Sequence, residues 1–330
     1  MKKILITGNT GFKGSWLTIA LSMAGHVVDG LSLDACLETS FFARCNIRSL
    51  LRKQYFLDIS DPGDWEAIDF ANYDIIYHFA AQPLVSEGYK NPLYTYQVNF
   101  NGTLNLINTL IQNRFQGELI IATTDKVYLN KELKRKFVEN DELGGNCPYS
   151  NSKALVESSV PIWRALSNDL FTIKTVRVGN VYGGGDFSKN RILPDIYRSI
   201  KSKRDLHIRN PNSIRPWLFI ADAINGYLKI QGACGPKEWN IAPDNSDVTV
   251  LDIVKLSAKH SSLRFKINTN YESFNETNIL KLDNSLIKKS TSWRQHYTIE
   301  KGLDTTLKTY QIIDNKPSKI LDYAGEILCT

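Results

Sequence analysis

The chain has 330 residues, 42% of them hydrophobic and 22% charged, which excludes a disordered polypeptide and leaves one large or two smaller domains. Its net charge of +6 is scattered, and the one dense basic run, "KELKRK" (131 to 136), reads as a solvated loop. Nucleic acid is thus an unexpected partner, and an anionic small molecule a better one.

"MKKILITG" runs straight into a strand, without a secretory apolar region behind the charges. No apolar stretch approaches the roughly 20 residues that span a bilayer. Cysteines 36, 45, 147, 234 and 328 lack CxxC spacing. A cytoplasmic protein with reduced thiols and no membrane partner is expected.

Strand-like "KKILITG" (2 to 8) is followed by a helix over 14–24, then by strands "HVVDGLSL" (26 to 33) and "YDIIYHFAA" (73 to 81). A helix with apolar spacing covers about 92–113, "ELIIATT" (118 to 124) is a strand, 150–166 a helix, and "FTIKTVRVGNVYG" (171 to 183) a strand. Continuously apolar strands alternating with helices predict an α/β fold, a Rossmann-type doubly wound parallel sheet buried on both faces. After "GGGDF" (183 to 187) the pattern changes to helices, polar loops and short pieces such as "EWNIA" (238 to 242) and "ILKLD" (279 to 283). Residues 1–184 therefore read as the dinucleotide-binding domain, and 185–330 as a smaller C-terminal α/β substrate-binding domain. The second is expected to be partly discontinuous, with some segments returning to the first.

"GNTGFKG" places Gly8, Gly11 and Gly14 between the first strand and the first helix. Glycines there permit a tight turn and close approach of a pyrophosphate to the helix N-terminus. A nucleotide-hydrolysing loop would need Gly-Lys-Ser/Thr in sequence, whereas Lys13 precedes Gly14. Asp34, near the end of the second strand, stands where an acidic residue binds ribose hydroxyls, with Asp29 the alternative, read as a strand residue facing solvent. No Arg follows that strand at once, so NAD is expected rather than NADP. Asp58 and Ile59 in "FLDISD" (56 to 61) suit the edge of an adenine pocket. Phe12 in the loop and Phe79, Ala80 and Ala81 in "HFAAQ" (78 to 82) fall near the cofactor, while His78 reads as a packed strand residue.

"TTDKVY" (123 to 128) puts Asp125 beside Lys126 where a parallel sheet exposes its strand ends, as either a solvated strand end or chemistry. "YSNSK" puts Tyr149 and Lys153 four residues apart, on one face if a helix starts there. A lysine cation lowers a phenol's pKa and can also hold a nicotinamide ribose, leaving tyrosinate as base for an alcohol proton.

These motifs resemble the extended short-chain dehydrogenase/reductase family, and within it the nucleotide-sugar 4,6-dehydratases, most closely their CDP-glucose branch. The resemblance rests on "GNTGFKGSWL" (8 to 17), "HFAAQPLV" (78 to 85), "TTDKVY", "LGGNCPYSNSK" (143 to 153), "RVGNVYGGGDF" (177 to 187), "RILPDI" (191 to 196), "RNPNSIRPW" (209 to 217) and "LKLD" (280 to 283). It implies an internal redox cycle on bound NAD: oxidation at C4 of the sugar, loss of water across C5 and C6, and return of hydride to C6. Tyr149 would take the 4-OH proton while Thr124 holds that oxygen. Asp125 would be the acid for the C6 hydroxyl, and Lys126 the base at C5, directly or through water. Most relatives carry Glu where Lys126 stands. Gln82, Asn180, Arg191, Arg209 and Arg215 match positions around the nucleotide-sugar substrate. The helices over 92–113 and 150–166 resemble the pair with which the family builds a homodimer. The implied role is deoxysugar synthesis for O-antigen or other surface polysaccharide. An epimerase of a CDP-deoxysugar and a silent sugar-nucleotide binder are the competing readings.

Overall fold

The computed structural model describes residues 1–33, 38–132, 134–259, 261–267 and 278–328. Seven strands form its main sheet: β1 (Lys3–Thr7), β2 (Val27–Ser32), β3 (Lys53–Phe56), β4 (Ile75–His78), β5 (Glu118–Ala122), β6 (Thr172–Val178) and, further on, Glu238–Ile241. The spatial order is Glu238–Ile241, β6, β5, β4, β1, β2, β3, and every neighbouring pair is parallel. This is the doubly wound sheet that the alternating pattern predicts.

Successive residues of these strands feed opposite cores, as the period of two requires. Ile4, Ile6, Ile75, Tyr77 and Ile120 join one core with the first helix, Phe12–Met23. Leu5, Ile76, Leu119 and Ile121 join the other with Leu106, Ile107, Val156 and Val160. The first helix is buried from Gly14 to Leu21, so it lacks a polar stripe over those two turns. Its sequence is accordingly apolar nearly all round.

The apolar run over 92–113 is helical without a break from Pro92 to Gln112, but it is not uniformly α-helical. It divides into Pro92–Tyr96, a π-helical turn over Gln97–Asn101, and Gly102–Gln112. Asn99 explains the wider turn: its side chain accepts from Gln82 N (2.8 Å) and donates to Gln82 O (3.1 Å) and Ser152 Oγ (3.1 Å). Local π turns of this kind accompany functional sites. The helix expected over 150–166 starts two residues earlier, at Pro148, and ends at Leu166.

In the C-terminal part, Trp239 pairs with Val176, so "EWNIA" extends the main sheet. "ILKLD" is not a strand; it makes single bridges, Ile279 to Ile214 and Leu282 to Phe137. Two small parallel pairs, Val181–Tyr182 with Leu218–Phe219 and Leu206–Ile208 with Phe265–Ile267, stand beyond the strand ends. Among the described residues no helix is long and apolar enough to cross a membrane.

Candidate active site

The site gathers at the carboxyl ends of β1, β4 and β5, the edge where open parallel sheets bind ligands. Gly8 has φ +72°, and a Cβ there would lie 2.6 Å from Ala80 N, so only glycine fits. A Cβ on Gly14 would come within 2.2 Å of Gly8 O, because the helix packs directly on the loop. Gly11 differs: its Cβ would meet only Gly8 O, at 3.3 Å, so the space above it is open. Gly11 is also the helix N-cap and makes no side-chain cap bond, leaving first-turn N–H groups for a ligand. Asn9 Nδ2 donates to Gln54 Oε1 (2.7 Å) and ties the loop to β3.

Around this cradle the sequence expectations fare differently. Asp34 lies outside the described residues. Asp29, expected to face solvent, is fully buried; its carboxylate accepts from Arg52, from Tyr73 Oη and from Lys53 N. It is a structural anchor between β2 and β3. Asp58 accepts from Ser60 N and Oγ (2.9 and 2.8 Å), and Ile59 packs under Gly102. His78 is held between Thr7 (2.8 Å) and Thr103 (3.0 Å), and burial with the Lys153 charge pulls it down to about 3. It stays neutral. Ala80 N donates to Thr7 Oγ1 (3.2 Å), Ala81 follows half-buried, and the Phe79 ring packs on Tyr227 at 4.7 Å.

The tyrosine and lysine are set by a local device. Cys147 is the N-cap of the helix Pro148–Leu166: its sulfur accepts from Ser150 N, and Ser150 Oγ accepts from Cys147 N in return. Pro148 occupies the first helical position, where its missing N–H costs nothing. Tyr149 and Lys153 then sit one turn apart. Lys153 Nζ donates to Ala122 O (3.2 Å), at the end of β5. Burial, then Lys13, against Glu157, draws this amine down to about 7. Burial pushes the Tyr149 phenol up to about 12, with the neighbouring Thr124 hydroxyl opposing. Tyr149 is therefore neutral until positive charge gathers beside it.

Thr124, Asp125 and Lys126 meet this helix across the pocket. Thr124 Oγ1 donates to Asp125 Oδ1 (2.9 Å) and accepts from Lys126 N (3.4 Å), which caps a 3₁₀ turn over Asp125–Val127. Asp125 is only 2% exposed, and its Oδ2 has no protein partner. Burial raises its pKa, opposed first by the Lys126 charge. A buried carboxyl with one oxygen unpartnered is a proton donor waiting for an acceptor.

A cavity of about 540 Å³ opens in front of these groups, lined by Thr124, Asp125, Lys126 and Tyr149 and by Asn180, Arg191, Arg209 and Arg215 from the C-terminal half. Arg191 Nη1 is 3.2 Å from Asp186 Oδ2. Arg215 Nη1 donates to Ile214 O (2.9 Å) and Asn278 O (3.3 Å), and its charge reaches Asp125. Arg209 Nη2 donates to Asn190 O (3.4 Å), at the cavity wall. Gln82 lies off the lining: its amide nitrogen donates to Thr95 Oγ1 (2.8 Å) and its oxygen accepts from Leu84 N (2.6 Å), bracing the loop after β4.

Sequence reasoning did not assign Lys13 to the site, having used it only to exclude a nucleotide-hydrolysing loop. Phe12 and Lys13 both line the cavity. The signal was a charged residue within an otherwise apolar helix start, "GFKGSWL". Glu157 and Arg177, which fasten the site from behind, were also missed; a lone Glu on a helix carries no marker that it is buried.

The sequence model of the family described as GDP-mannose 4,6 dehydratase matches residues 5–306. CDP-glucose 4,6-dehydratase of Salmonella typhimurium is 32% identical over 332 residues, covering 94% of this chain and 90% of that protein. Among solved structures, a UDP-glucose 4-epimerase from Stenotrophomonas maltophila with bound NAD superposes with TM-score 0.84 at 19% identity, over 95% of this chain and 99% of that one. A dTDP-glucose 4,6-dehydratase from Bacillus anthracis in complex with NAD gives TM-score 0.79 at 19% identity, over 97% and 100%. By the family match and the Salmonella relative together, the chain belongs to the GDP-mannose 4,6 dehydratase family.

Proposed function

We propose that the chain is a hydro-lyase that dehydrates a nucleotide hexose with NAD as cofactor, converting CDP-D-glucose to CDP-4-keto-6-deoxy-D-glucose. The carrying observation is Asp125: a buried carboxyl of raised pKa, with Oδ2 free, in one cavity with Thr124, Lys126 and Tyr149. An epimerase needs no acid to expel a C6 hydroxyl. The activity of the Salmonella relative supports the choice of CDP-glucose.

The residues present fit a dinucleotide. The open space over Gly11, the uncapped helix start and the Lys153 amine form a cradle for phosphate and ribose. When bound, NAD supplies the hydride acceptor for C4 oxidation and is regenerated when the hydride reaches C6. Tyr149 takes the C4 hydroxyl proton once cationic charge lowers its pKa, and Thr124 holds the same oxygen. The C4 ketone acidifies C5; Lys126 removes that proton directly or through water. Asp125 protonates the C6 hydroxyl, which leaves as water. Asn180, Arg191, Arg209 and Arg215 hold the nucleotide diphosphate, for which planar guanidinium forks suit the phosphate oxygens.

We read the active form as a homodimer. Leu93 (84% exposed), Ile162 (64%) and Leu166 (59%) stand out on the helices of the expected interface, an apolar surface that a second copy would cover. Sedimentation as a monomer at micromolar concentration would remove this reading. The function is tested by mass spectrometry after incubation with NAD and, separately, CDP-, dTDP-, GDP- and UDP-hexoses. Loss of one water from CDP-glucose alone, without net NADH, is the expected result. No mass change with any of them overturns it, and exchange of solvent deuterium into the sugar would then point to an epimerase.

A further inference from the structure

Lys13 occupies the second position of the helix Phe12–Met23, beside the open glycine loop. Its Nζ lies 5.6 Å from the centre of the Phe79 ring and 6.0 Å from that of Tyr227. These two rings, packed on each other, wall off one side of the amine. Yet among the described residues no carboxylate or carbonyl takes a hydrogen bond or ion pair from it. The one carboxylate whose charge reaches it, Asp125, is hydrogen-bonded to Thr124 and has a raised pKa. The other charges that reach it are cations, Arg191 and Lys153. Burial, with Arg191 second, draws the Lys13 amine down to about 8.

A half-buried cation that faces other cations and has no counterion is costly to keep. Here it sits where the uncapped first turn of a helix already directs N–H groups and partial positive charge. Each feature alone is weak; together they describe a site suited to an anion. We infer that Lys13 is a diphosphate-binding residue, whose amine and the N–H groups of the same helix turn close on one pyrophosphate group. The two diphosphates that could reach it, those of a dinucleotide and of a nucleotide sugar, are the ligands of the function proposed above, on which this inference rests. Lys13 has a second consequence there. A diphosphate beside it would hold both Lys13 and Lys153 protonated, and so supply the positive charge that lowers the Tyr149 pKa.

The test is calorimetric titration of the full chain with inorganic pyrophosphate, NAD and CDP-glucose, comparing the parent with Lys13→Met, Lys13→Gln and Lys13→Arg. Removing the amine should weaken pyrophosphate, and at least one of the two larger ligands, by about 10- to 100-fold, the loss expected for a charge-assisted hydrogen bond. Adenosine and cytidine, which lack phosphate, should not respond, and Lys13→Arg should retain most of the affinity. Loss confined to NAD places Lys13 on the cofactor, and loss confined to CDP-glucose places it on the substrate. Pyrophosphate binding that is absent from the parent, or as strong in Lys13→Met and Lys13→Gln as in the parent, overturns the inference. If the parent binds pyrophosphate through Lys13 but neither NAD nor CDP-glucose, the proposed function fails and the phosphate site stands.

Discussion

Two groups of buried charges lie one helical turn apart on the helix Pro148–Leu166, and they are built in opposite ways. Behind the sheet ends, Glu157 is fully matched. Its Oε1 accepts from Thr123 Oγ1 (2.6 Å) and Arg177 Nε (3.0 Å), its Oε2 from Thr175 Oγ1 (2.7 Å) and Arg177 Nη2 (2.9 Å). Arg177 Nη1 goes on to Tyr128 Oη (2.9 Å) and Glu139 O (2.7 Å), and Tyr128 donates to Asn240 Oδ1 (2.7 Å). In front, Lys153 and Asp125 are as thoroughly buried and Lys13 and Tyr149 half-buried at the cavity wall, but Asp125 Oδ2 has no partner and the amines repel one another. The same loss of water thus fixes geometry where every group is paired, and shifts pKa values where it is not. The paired network joins the Pro148–Leu166 helix, β5, β6 and the segment carrying Tyr128, so it holds Tyr149 and Lys153 in register with Thr124 and Asp125.

The largest effect is expected at the hydroxyl to which the proposed mechanism assigns the first proton transfer, that of Tyr149. Tyr149→Phe should lower turnover by about 10⁴-fold, the upper end for general base catalysis, while leaving thermal stability near that of the parent. Loss of C4 oxidation in a single-turnover absorbance assay is the check. The rear network should respond in the other currency. Arg177→Met strands the Glu157 carboxylate with only two threonine donors, and should cost about 3–5 kcal/mol of stability in urea unfolding. A Glu157→Leu/Arg177→Met double variant should recover much of that loss if pairing, rather than charge itself, is what matters.

The front group was largely legible in the sequence, because its residues come in short motifs with fixed spacing: "GNTGFKG", "TTDKVY" and "YSNSK". The rear network was not, since its members lie 20 and more residues apart (Glu157, Arg177, Tyr128, Asn240) and each alone passes for a surface residue. Asp29 shows the same limit: period-two alternation left it facing solvent, but Arg52 and Tyr73, brought from elsewhere, allow a fully buried carboxylate. The sheet itself was readable from continuous apolar runs, except at its edge strand β3, whose sequence KQYF is half polar and partly exposed. The π turn over Gln97–Asn101 was not, because it keeps apolar spacing nearly intact within a continuous helix while Asn99 reaches out to Gln82 and Ser152.

Asp125 sharpens the comparison within the front group. Asp125→Asn keeps the shape and the Thr124 hydrogen bond but removes the transferable proton. Turnover should fall by about 10²-fold or more, while C4 oxidation persists and a reduced-cofactor absorbance builds up. Parent-like turnover would transfer the acid role elsewhere and leave the unpartnered Oδ2 without a function.

The smallest effect is also the one whose sign separates the two groups. Lys153 is 3% exposed, and its amine, near 10.4 in an unfolded chain, stands at about 7 in the folded one. Between about pH 7 and 10 the unfolded state therefore binds the extra proton, and this lysine's contribution to stability rises with pH across that window. At pH 7.5 the group is still a liability. Lys153→Met should thus raise unfolding free energy by about 1 kcal/mol at pH 7.5 while abolishing activity, and the gain over the parent should shrink as pH approaches 10. A loss of stability at pH 7.5 comparable to that of Arg177→Met would mean that the Ala122 carbonyl outweighs burial, and that the front group is a structural network too.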